Sequence, residues 1–391
     1  MPLSPLRTAL LALLLAFLSQ ALTIYTQFGG DWTSLFLAGS KYPVPPALAG
    51  DSFYVFPNSG GYDSQFYHLM AHDPLMTRGL KDSIDAPRLR YRRVLIPWLA
   101  WLAGAGASAG IHAALVGINL LFTFLGAWWL SRYAVLHGAS PAWGLAFLPL
   151  PAVLIGLDRL TTDLPLAALC VAFALYVKTA EQWKLYLVLA LAALARETGL
   201  LLLGGYGLAL LLRRQLGRAI LFGTAAFPAL AWYLSVQLRT VTYESHMGLG
   251  GPSGLPLPAS AFLYRFLEPV TYARPPVIAW TAVALDYVSL GGILAALILA
   301  VWAFFRKTIG PPGWAALLFV LLVVAAGGIV GWYDPCGYPR VLTPLLLFLA
   351  LEGFSRRSWL LAAPLALVTP RLFILTPQFV GAFLRHLFSV P

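Results

Sequence analysis

Residues 184–213 read KLYLVLALAALARETGLLLLGGYGLALLLR, and this stretch decides the class of fold. Two apolar runs flank the charged pair Arg196-Glu197, and each is too short for a full membrane span, which needs about 20 residues. Continuous runs of Leu and Ala, without alternation of polar residues, are typical of apolar helices. The stretch therefore predicts a pair of half-buried helices broken at Arg196, and broken helices of this kind usually line a cavity.

The rest of the chain has the same character. Of its 391 residues, 60% are hydrophobic and 10% are charged, whereas soluble domains average about 45–50% and 25%. We expect an all-α polytopic membrane protein that forms a single membrane domain over 1–391, with about eleven transmembrane helices (10–13). The first run is expected to stay as a helix, because no clean signal-peptide cleavage site follows it. The apolar runs lie at 8–26, 111–131, 141–157, 162–178, 184–196, 198–213, 218–238, 281–305, 312–331, 340–354 and 359–375.

The net charge of +11 indicates orientation in the membrane. If the apolar segment 94–106 lies in the interface and does not cross, one set of loops contains 11 basic and two acidic residues, and the opposite set contains 13 of each. Basic loops stay in the cytoplasm, so the N-terminus is expected there. Residues 27–110 and 239–280 then form two long extracytoplasmic loops, and the first carries interfacial helices. Arg371 and Arg385 stay unassigned.

The first long loop contains the richest polar and aromatic cluster, GGYDSQFYHLMAHDP at 60–74. A helix over 63–71 would place Asp63, Phe66, Tyr67 and Met70 on one face. Asp63 would lie in the first turn, where capping of the helix is the structural alternative to a catalytic role. The neighbouring candidates for substrate binding are Tyr62, Gln65, Tyr67 and His68.

This motif resembles the first luminal loop of the GPI second-mannosyltransferase family, which belongs to the GT-C superfamily of multi-spanning glycosyltransferases. That family reads Trp-Asp-x-x-Tyr/Phe-x-x-x-Ala, and this chain reads Tyr-Asp-x-x-Phe-Tyr-x-x-x-Ala at 62–71. Uncharacterised bacterial relatives carry Tyr-Asp-Gly-Gln-Phe-Tyr, where this chain has Ser64 in place of the glycine. The match covers about 60–105. It implies Asp63 as the catalytic acid, mannose as the sugar, and inversion without a covalent sugar–enzyme intermediate.

Sugar transfer from a lipid-linked phosphate needs a carboxylate as general base and cations that hold the departing phosphate. Asp31, directly after the first span, is the alternative base. The cation candidates are Arg88, Arg92, Arg93, Arg196 and Arg340.

Each cation has a structural alternative. Residues 88–93 would anchor lipid headgroups, Arg196 would pair with Glu197, and Arg340 would snorkel. We expect Arg340 at a helix N-terminus, where anions are favoured. The further substrate-binding candidates are Asp163, for which capping is the alternative, Glu197 and Asp334.

No cofactor is expected. His68 and His72 have the i,i+4 spacing of metal ligands, but Leu69 stands where the HExxH motif has its glutamate, so a divalent metal is not indicated. The chain has no P-loop, and none of the cytoplasmic loops is long enough for a nucleotide-sugar domain. The expected partners are a polyprenyl-phosphate sugar donor, membrane lipids and an extracytoplasmic acceptor glycan, lipid or protein, without nucleic acid.

The predicted protein is an inverting hexosyltransferase, with mannose by analogy, in a bacterial inner membrane and with its site on the periplasmic face. A secondary transporter or lipid-glycan flippase is the alternative. Such a protein should bury charges at mid-membrane on several helices. A non-catalytic scaffold of a glycan assembly complex is a third interpretation.

Overall fold

A computed structural model describes residues 4–243, 259–272, 275–306, 309–325, 331–334 and 336–374, and helices dominate these ranges, as an all-α fold requires. The first nine helices are α1 (Pro5–Phe28), α2 (Asp63–His72), α3 (Pro87–Arg90), α4 (Leu95–Ala103), α5 (Ser108–Leu136), α6 (Pro151–Arg159), α7 (Asp163–Thr179), α8 (Gln182–Ala195) and α9 (Leu200–Leu212). The next eight are α10 (Leu216–Gly223), α11 (Phe227–Arg239), α12 (Ser260–Leu267), α13 (Pro276–Phe305), α14 (Pro311–Ala325), α15 (Gly337–Val341), α16 (Thr343–Arg356) and α17 (Trp359–Val368).

Short elements complete the described chain. Two-residue strands, β1 (Ala38–Gly39) and β2 (Val55–Phe56), pair in parallel within the first long loop. The 3₁₀ helices are Trp32–Phe36, Pro46–Leu48, Leu80–Ser83, Pro141–Phe147, Glu197–Gly199, Thr224–Ala226 and Thr369–Ile374. Parts of the predicted segments lie outside the described residues, namely 244–258 and 273–274 of the second long loop, 326–330 of the span 312–331, residue 375, Lys307 and Arg385.

Within the described ranges, four helices are long and apolar enough to cross a membrane, or five if a bent pair counts as one span. They are α1, α5, α13 and the continuous helical stretch Leu216–Arg239, which is made of α10, the 3₁₀ turn Thr224–Ala226 and α11. Their outward faces are apolar. On α1, for example, Leu10, Phe17 and Leu18 are each at least half exposed, which a hydrocarbon environment explains and water does not. These are the helices of a membrane protein, and about eleven crossings stay a prediction.

The remaining predicted spans correspond to shorter or broken helices. The run 141–157, expected as one span, is a 3₁₀ helix and α6, bent by 59°, and the cause is the prolines at 149 and 151, which lack backbone donors. The predicted break at Arg196 is confirmed, because α8 ends at Ala195 and the next helical turn starts at Glu197. The segment 94–106 forms the nine-residue α4, about 14 Å long and too short to cross.

Helix α7 lies at the centre of the core, and nearly all of its side chains are buried, from Asp163 to Tyr176. It packs against α5, α8 and α16. Its N-terminal end therefore meets the break between α8 and α9, and α6 lies beside α15. Helix α2 packs on α4 and α5. This packing brings the first long loop to the same end of the bundle as residues 158–163, 196–199 and 331–340.

Small residues let helices α9 and α14 approach closely. A side chain at Gly205 would meet Ala315, with its Cβ 2.7 Å from the Ala315 Cα. We expect Gly205→Ala to cost about 1–3 kcal/mol of unfolding free energy, because the helices must separate, and to lower the melting temperature in detergent. Gly207→Ala on the same helix is the control, since nothing lies within 4 Å of its added Cβ. Equal stability of the two variants would contradict this packing.

Candidate functional site

Helix α2 presents Asp63 to two arginines. The helix covers the predicted range and begins at Asp63, while Tyr62 holds the cap position. The Asp63 side chain does not cap the helix. Its Oδ2 accepts from Nη2 of Arg340 at 2.6 Å, and its Oδ1 pairs with Nη1 of Arg90 at 2.8 Å. The capping alternative is therefore wrong for Asp63, whose carboxylate links the first long loop to α15.

Asp163, the first residue of α7, lies between two further guanidinium groups. Its side chain is 2% exposed. Its Oδ1 binds Nη1 of Arg196, and its Oδ2 accepts from Nη1 of Arg340 at 3.2 Å. Arg340 thus bridges Asp63 and Asp163, and Arg196 joins the α8–α9 break to the start of α7. The predicted helix start is correct, but the Asp163 side chain pairs with arginines and makes no cap hydrogen bond.

A bidentate ion pair connects the first long loop to the break between α8 and α9. Arg93 donates to both carboxylate oxygens of Glu197, at 2.8 and 2.7 Å, and to the Tyr67 hydroxyl at 3.1 Å. Arg90 makes a similar fork with Asp85, at 2.9 and 2.8 Å. We call the resulting set the ion-pair network. Its members are Asp63, Asp85, Asp163, Glu197, Arg90, Arg93, Arg196 and Arg340.

An aromatic and acidic edge borders the network. The Tyr62 hydroxyl donates to Oδ2 of Asp334 at 2.7 Å. The guanidinium of Arg159 lies 4.5 Å from the centroid of the Tyr62 ring, and that of Arg340 lies 5.1 Å from it. Such cation–π contacts favour both cations. Asp334 also accepts from the backbone N–H of Cys336 at 2.9 Å. This edge is more exposed than the paired core, since the Asp158 side chain beside Arg159 is 51% exposed.

The surroundings of Asp63 keep it ionised. Burial by itself raises the pKa of this carboxyl, but the positive charges of Arg340, Arg90 and Arg93 outweigh burial and hold the pKa well below its usual range. A carboxylate held in this way is a weak base for as long as both arginines remain its partners. Stronger basicity requires that something else take the two arginines.

Three of the predicted base and phosphate-binding residues lie outside the network. Asp31 is exposed, and its Oδ1 accepts from the backbone N–H of Thr33 at 3.0 Å, so it caps the 3₁₀ helix 32–36. Arg88 donates to the carbonyl of Thr240 at 2.8 Å, at the end of α11. The Arg92 guanidinium lies 5.8 Å from the centroid of the Tyr233 ring, and its buried Nε has no acceptor among the described residues.

Two substrate-binding candidates of α2 have structural contacts instead. Gln65 accepts from the backbone N–H of Gly39 at 3.1 Å and donates to the carbonyl of Gly60 at 2.8 Å, and so holds the loop before α2. His68 points away from Asp63 and lies beside His72 and His112. All three histidines are buried, and burial lowers the pKa of His68, and that of His72 to about 4.

The expected position of Arg340 is wrong. It is the fourth residue of the five-residue helix α15, which begins at Gly337, so it does not sit at a helix N-terminus. The residues 337–341 close one turn before α16 starts at Thr343. The long side chain of Arg340 instead extends between the carboxylates of Asp63 and Asp163 and donates to both.

Several candidate functional residues were not predicted from the sequence. Arg90 was not predicted, although it pairs with Asp63 and Asp85, and the predicted Arg93, one turn away, pairs with Glu197. His112 lies in a long apolar helix, where only its polarity marks it. A second charged group surrounds Asp286 on α13, which pairs with Arg371 and, at 3.5 Å, with Arg265.

A cavity of about 640 Å³ lies at the other end of α7 and α16. Its polar lining includes His137, Lys178, Arg213, Glu352 and Arg356. None of the predicted site residues lines it.

The chain matches no protein-family model, and comparison with curated proteins and with solved structures gives no significant similarity.

The buried pairing of Asp163 generates a stability prediction. We expect Asp163→Ala to lower the unfolding free energy by about 3–5 kcal/mol, because two guanidinium groups lose a buried partner. Asp158→Ala is the control. Asp158 is half exposed and pairs with Arg159 at 3.2 Å, so its loss should cost less than about 1 kcal/mol. Thermal unfolding in detergent measures both, and similar melting temperatures for the two variants would contradict the role of Asp163.

Proposed function

We propose that this protein is an inverting glycosyltransferase. It transfers a hexose, mannose by analogy, from a polyprenyl-phosphate sugar to a glycan, lipid or protein acceptor on the extracytoplasmic side of a bacterial inner membrane. The observation that carries the proposal is the pairing of Asp63 with Arg340 and Arg90, in a network built at the ends of apolar helices. The network brings a carboxylate into direct contact with guanidinium groups, which is the combination that a base and phosphate-binding cations require.

The proposed reaction begins when the donor phosphate replaces the Asp63 carboxylate as the partner of two arginines. The donor phosphate takes Arg340 and Arg90 and releases Asp63, whose pKa rises once its cationic partners are engaged. The acceptor oxygen attacks the anomeric carbon, the bond from that carbon to the phosphate oxygen breaks, and Asp63 takes the hydroxyl proton. Polyprenyl phosphate leaves with the negative charge, which the arginines stabilise.

The pattern of pairing supports Asp63 as the carboxylate that is released. Without Asp63, Arg340 still contacts Asp163, and Arg90 keeps its fork with Asp85. The structural cost of releasing Asp63 is therefore small compared with that of Asp163. Arg92, whose guanidinium lies over the Tyr233 ring and has no carboxylate partner among the described residues, would be a further cation for the donor.

One observation favours the transporter or flippase alternative. Asp286 is buried on the long apolar helix α13, of which it is the eleventh residue, and it contacts Arg371 and Arg265. That position is about 15 Å along the helix, where ionisable groups often mark a transport path. The group is internally paired and does not touch Asp63, so we rank this function second. Sugar transferred by purified protein in detergent, where no gradient exists, distinguishes the two.

Replacing the proposed base tests the assignment. We expect Asp63→Asn to lower transfer from polyprenyl-phosphate mannose by at least about a hundredfold, the range of a lost general base, with little change in melting temperature. Asp31→Asn is the matched control at the rival acid and should retain activity. The assay measures released polyprenyl phosphate, with the glucose donor run in parallel. Full activity of Asp63→Asn would transfer the role to Asp31.

The release of Asp63 by donor also predicts two different pH profiles. In the free protein the lowered pKa of Asp63 keeps the carboxylate ionised as pH falls, so kcat/KM should show no acid limb from pH 7 down to about 4, near the ordinary pKa of an aspartate. With donor bound, its cations are engaged and burial remains, so kcat should decline at a higher pH. An acid limb at the same pH in both profiles would argue against the exchange.

A further inference from the structure

Three histidines from two helices converge on one point. His68 and His72 lie one turn apart on α2, and His112 lies in the first turns of α5. The Nε2 atoms of His68 and His112 are 2.8 Å apart, and those of His72 and His68 are 3.2 Å apart. One ligand atom from each residue lies within 4.8 Å of the others. This cluster lies outside the ion-pair network and has no part in the proposed transfer.

Hydrogen bonds among the three imidazole rings cannot satisfy all of their Nε2 atoms. A neutral imidazole Nε2 either carries one proton or offers one lone pair. Nε2 of His68 contacts both other rings, so it must share its single proton or its single lone pair between two partners. All three side chains are at most 5% exposed, and water therefore gives little help. A buried polar group with an unmet hydrogen bond is costly, whereas a metal ion would accept all three lone pairs at once.

Two of the nitrogen–nitrogen distances are close to those around a small transition-metal ion. Zinc–nitrogen bonds of about 2.0–2.1 Å place tetrahedral ligand nitrogens about 3.3 Å apart, close to the observed 3.2 Å and slightly beyond 2.8 Å. Three imidazoles without an oxygen ligand suit zinc and its neighbours, and not Mg²⁺ or Ca²⁺.

The outer surroundings are those of a metal-binding histidine site. Oδ2 of Asp51 lies 3.9 Å from Nδ1 of His72, on the side of the ring opposite the cluster, and accepts from the Ser108 hydroxyl at 2.8 Å. This distance is longer than a hydrogen bond, and a shift of less than about 1.5 Å would let the carboxylate accept from Nδ1 and orient the ring of a ligating His72. The ring of Phe36 stacks on His68 with centroids 4.5 Å apart, and that of Phe53 meets it edge-on at 5.0 Å.

We propose that His68, His72 and His112 bind one zinc-class divalent ion that fastens α2 to α5. Zinc with three protein ligands keeps a fourth position for water or another ligand. Because α2 begins at Asp63, only five residues before His68, the ion would fix the helix that carries this carboxylate. The proposal does not depend on glycosyl transfer, and metal binding is its readout.

The experiment uses the full chain, purified in detergent, freed of any affinity tag and dialysed against a chelator. We expect about one Zn²⁺ per chain by titration calorimetry and elemental analysis, no uptake of Mg²⁺, and with Co²⁺ the intense visible bands of a four-coordinate ion. Failure of the wild-type chain to bind Zn²⁺ stoichiometrically would overturn the proposal.

Variants locate the ion. His72→Ala should weaken Zn²⁺ binding by at least about a hundredfold, more than the roughly 10- to 100-fold typical of outer-shell changes, and binding as tight as that of the wild type would refute the site. His137→Ala is the control, since His137 directly follows the far end of α5, where its Nδ1 contacts the carbonyl of Tyr133, and this variant should keep one ion. If His72→Ala does not fold, Asp51→Asn decides: binding weakened about 10- to 100-fold supports the site, and unchanged affinity overturns it.

Discussion

The bridge that Arg340 makes between Asp63 and Asp163 holds the site together. Its guanidinium contacts one carboxylate from the first long loop and one from the central helix α7. Buried charges are costly unless each has a partner, so the bridge fixes how the loop docks. Arg93 does the same through Glu197, which lies at the α8–α9 break. The loop is thus attached to the helices by ion pairs, although apolar packing forms the bundle.

Charge balance explains why such a network suits an anionic ligand. Its four carboxylates and four guanidinium groups sum to zero. An incoming phosphate adds negative charge, and the least costly response is for the carboxylate with the most replaceable pairing to give up its arginines. Asp63 has that position, because Asp163 and Asp85 remain with its two partners. In the proposed transfer, substrate binding and the activation of the base would then be one electrostatic event.

Local periodicity predicted the parts of the site that local sequence controls. The helix at Asp63, the start of α7 at Asp163 and the break at Arg196 follow from short-range signals in the sequence, and all three are present. Pairs such as Arg340 with Asp63 are 277 residues apart, and no helical period encodes them.

The same limit explains the errors. Arg88 and Arg92 were predicted as phosphate-binding cations, but α3 is a single turn that ends at Arg90, and neither side chain pairs with a carboxylate of the network. Arg90 and Arg93 reach the carboxylates instead, because the chain turns after Tyr91. The run 141–157, predicted as one span, is bent by 59° because two of its prolines lack backbone donors, and a hydropathy pattern does not register that loss.

Helix α2 is held at two places, by ion pairs at its first residue and by histidine contacts further along. A helix of ten residues that carries a charged end in an irregular loop has little stability of its own. Its first residue is held by Arg340 and Arg90, and its second and third turns pack His68 and His72 against His112 of α5. An ion on those histidines would leave Asp63 free to exchange partners while the helix beneath it stays fixed. The Asp63 carboxylate could then change partners while α2 stays fixed, because the arginines hold the carboxylate and the histidines hold the helix.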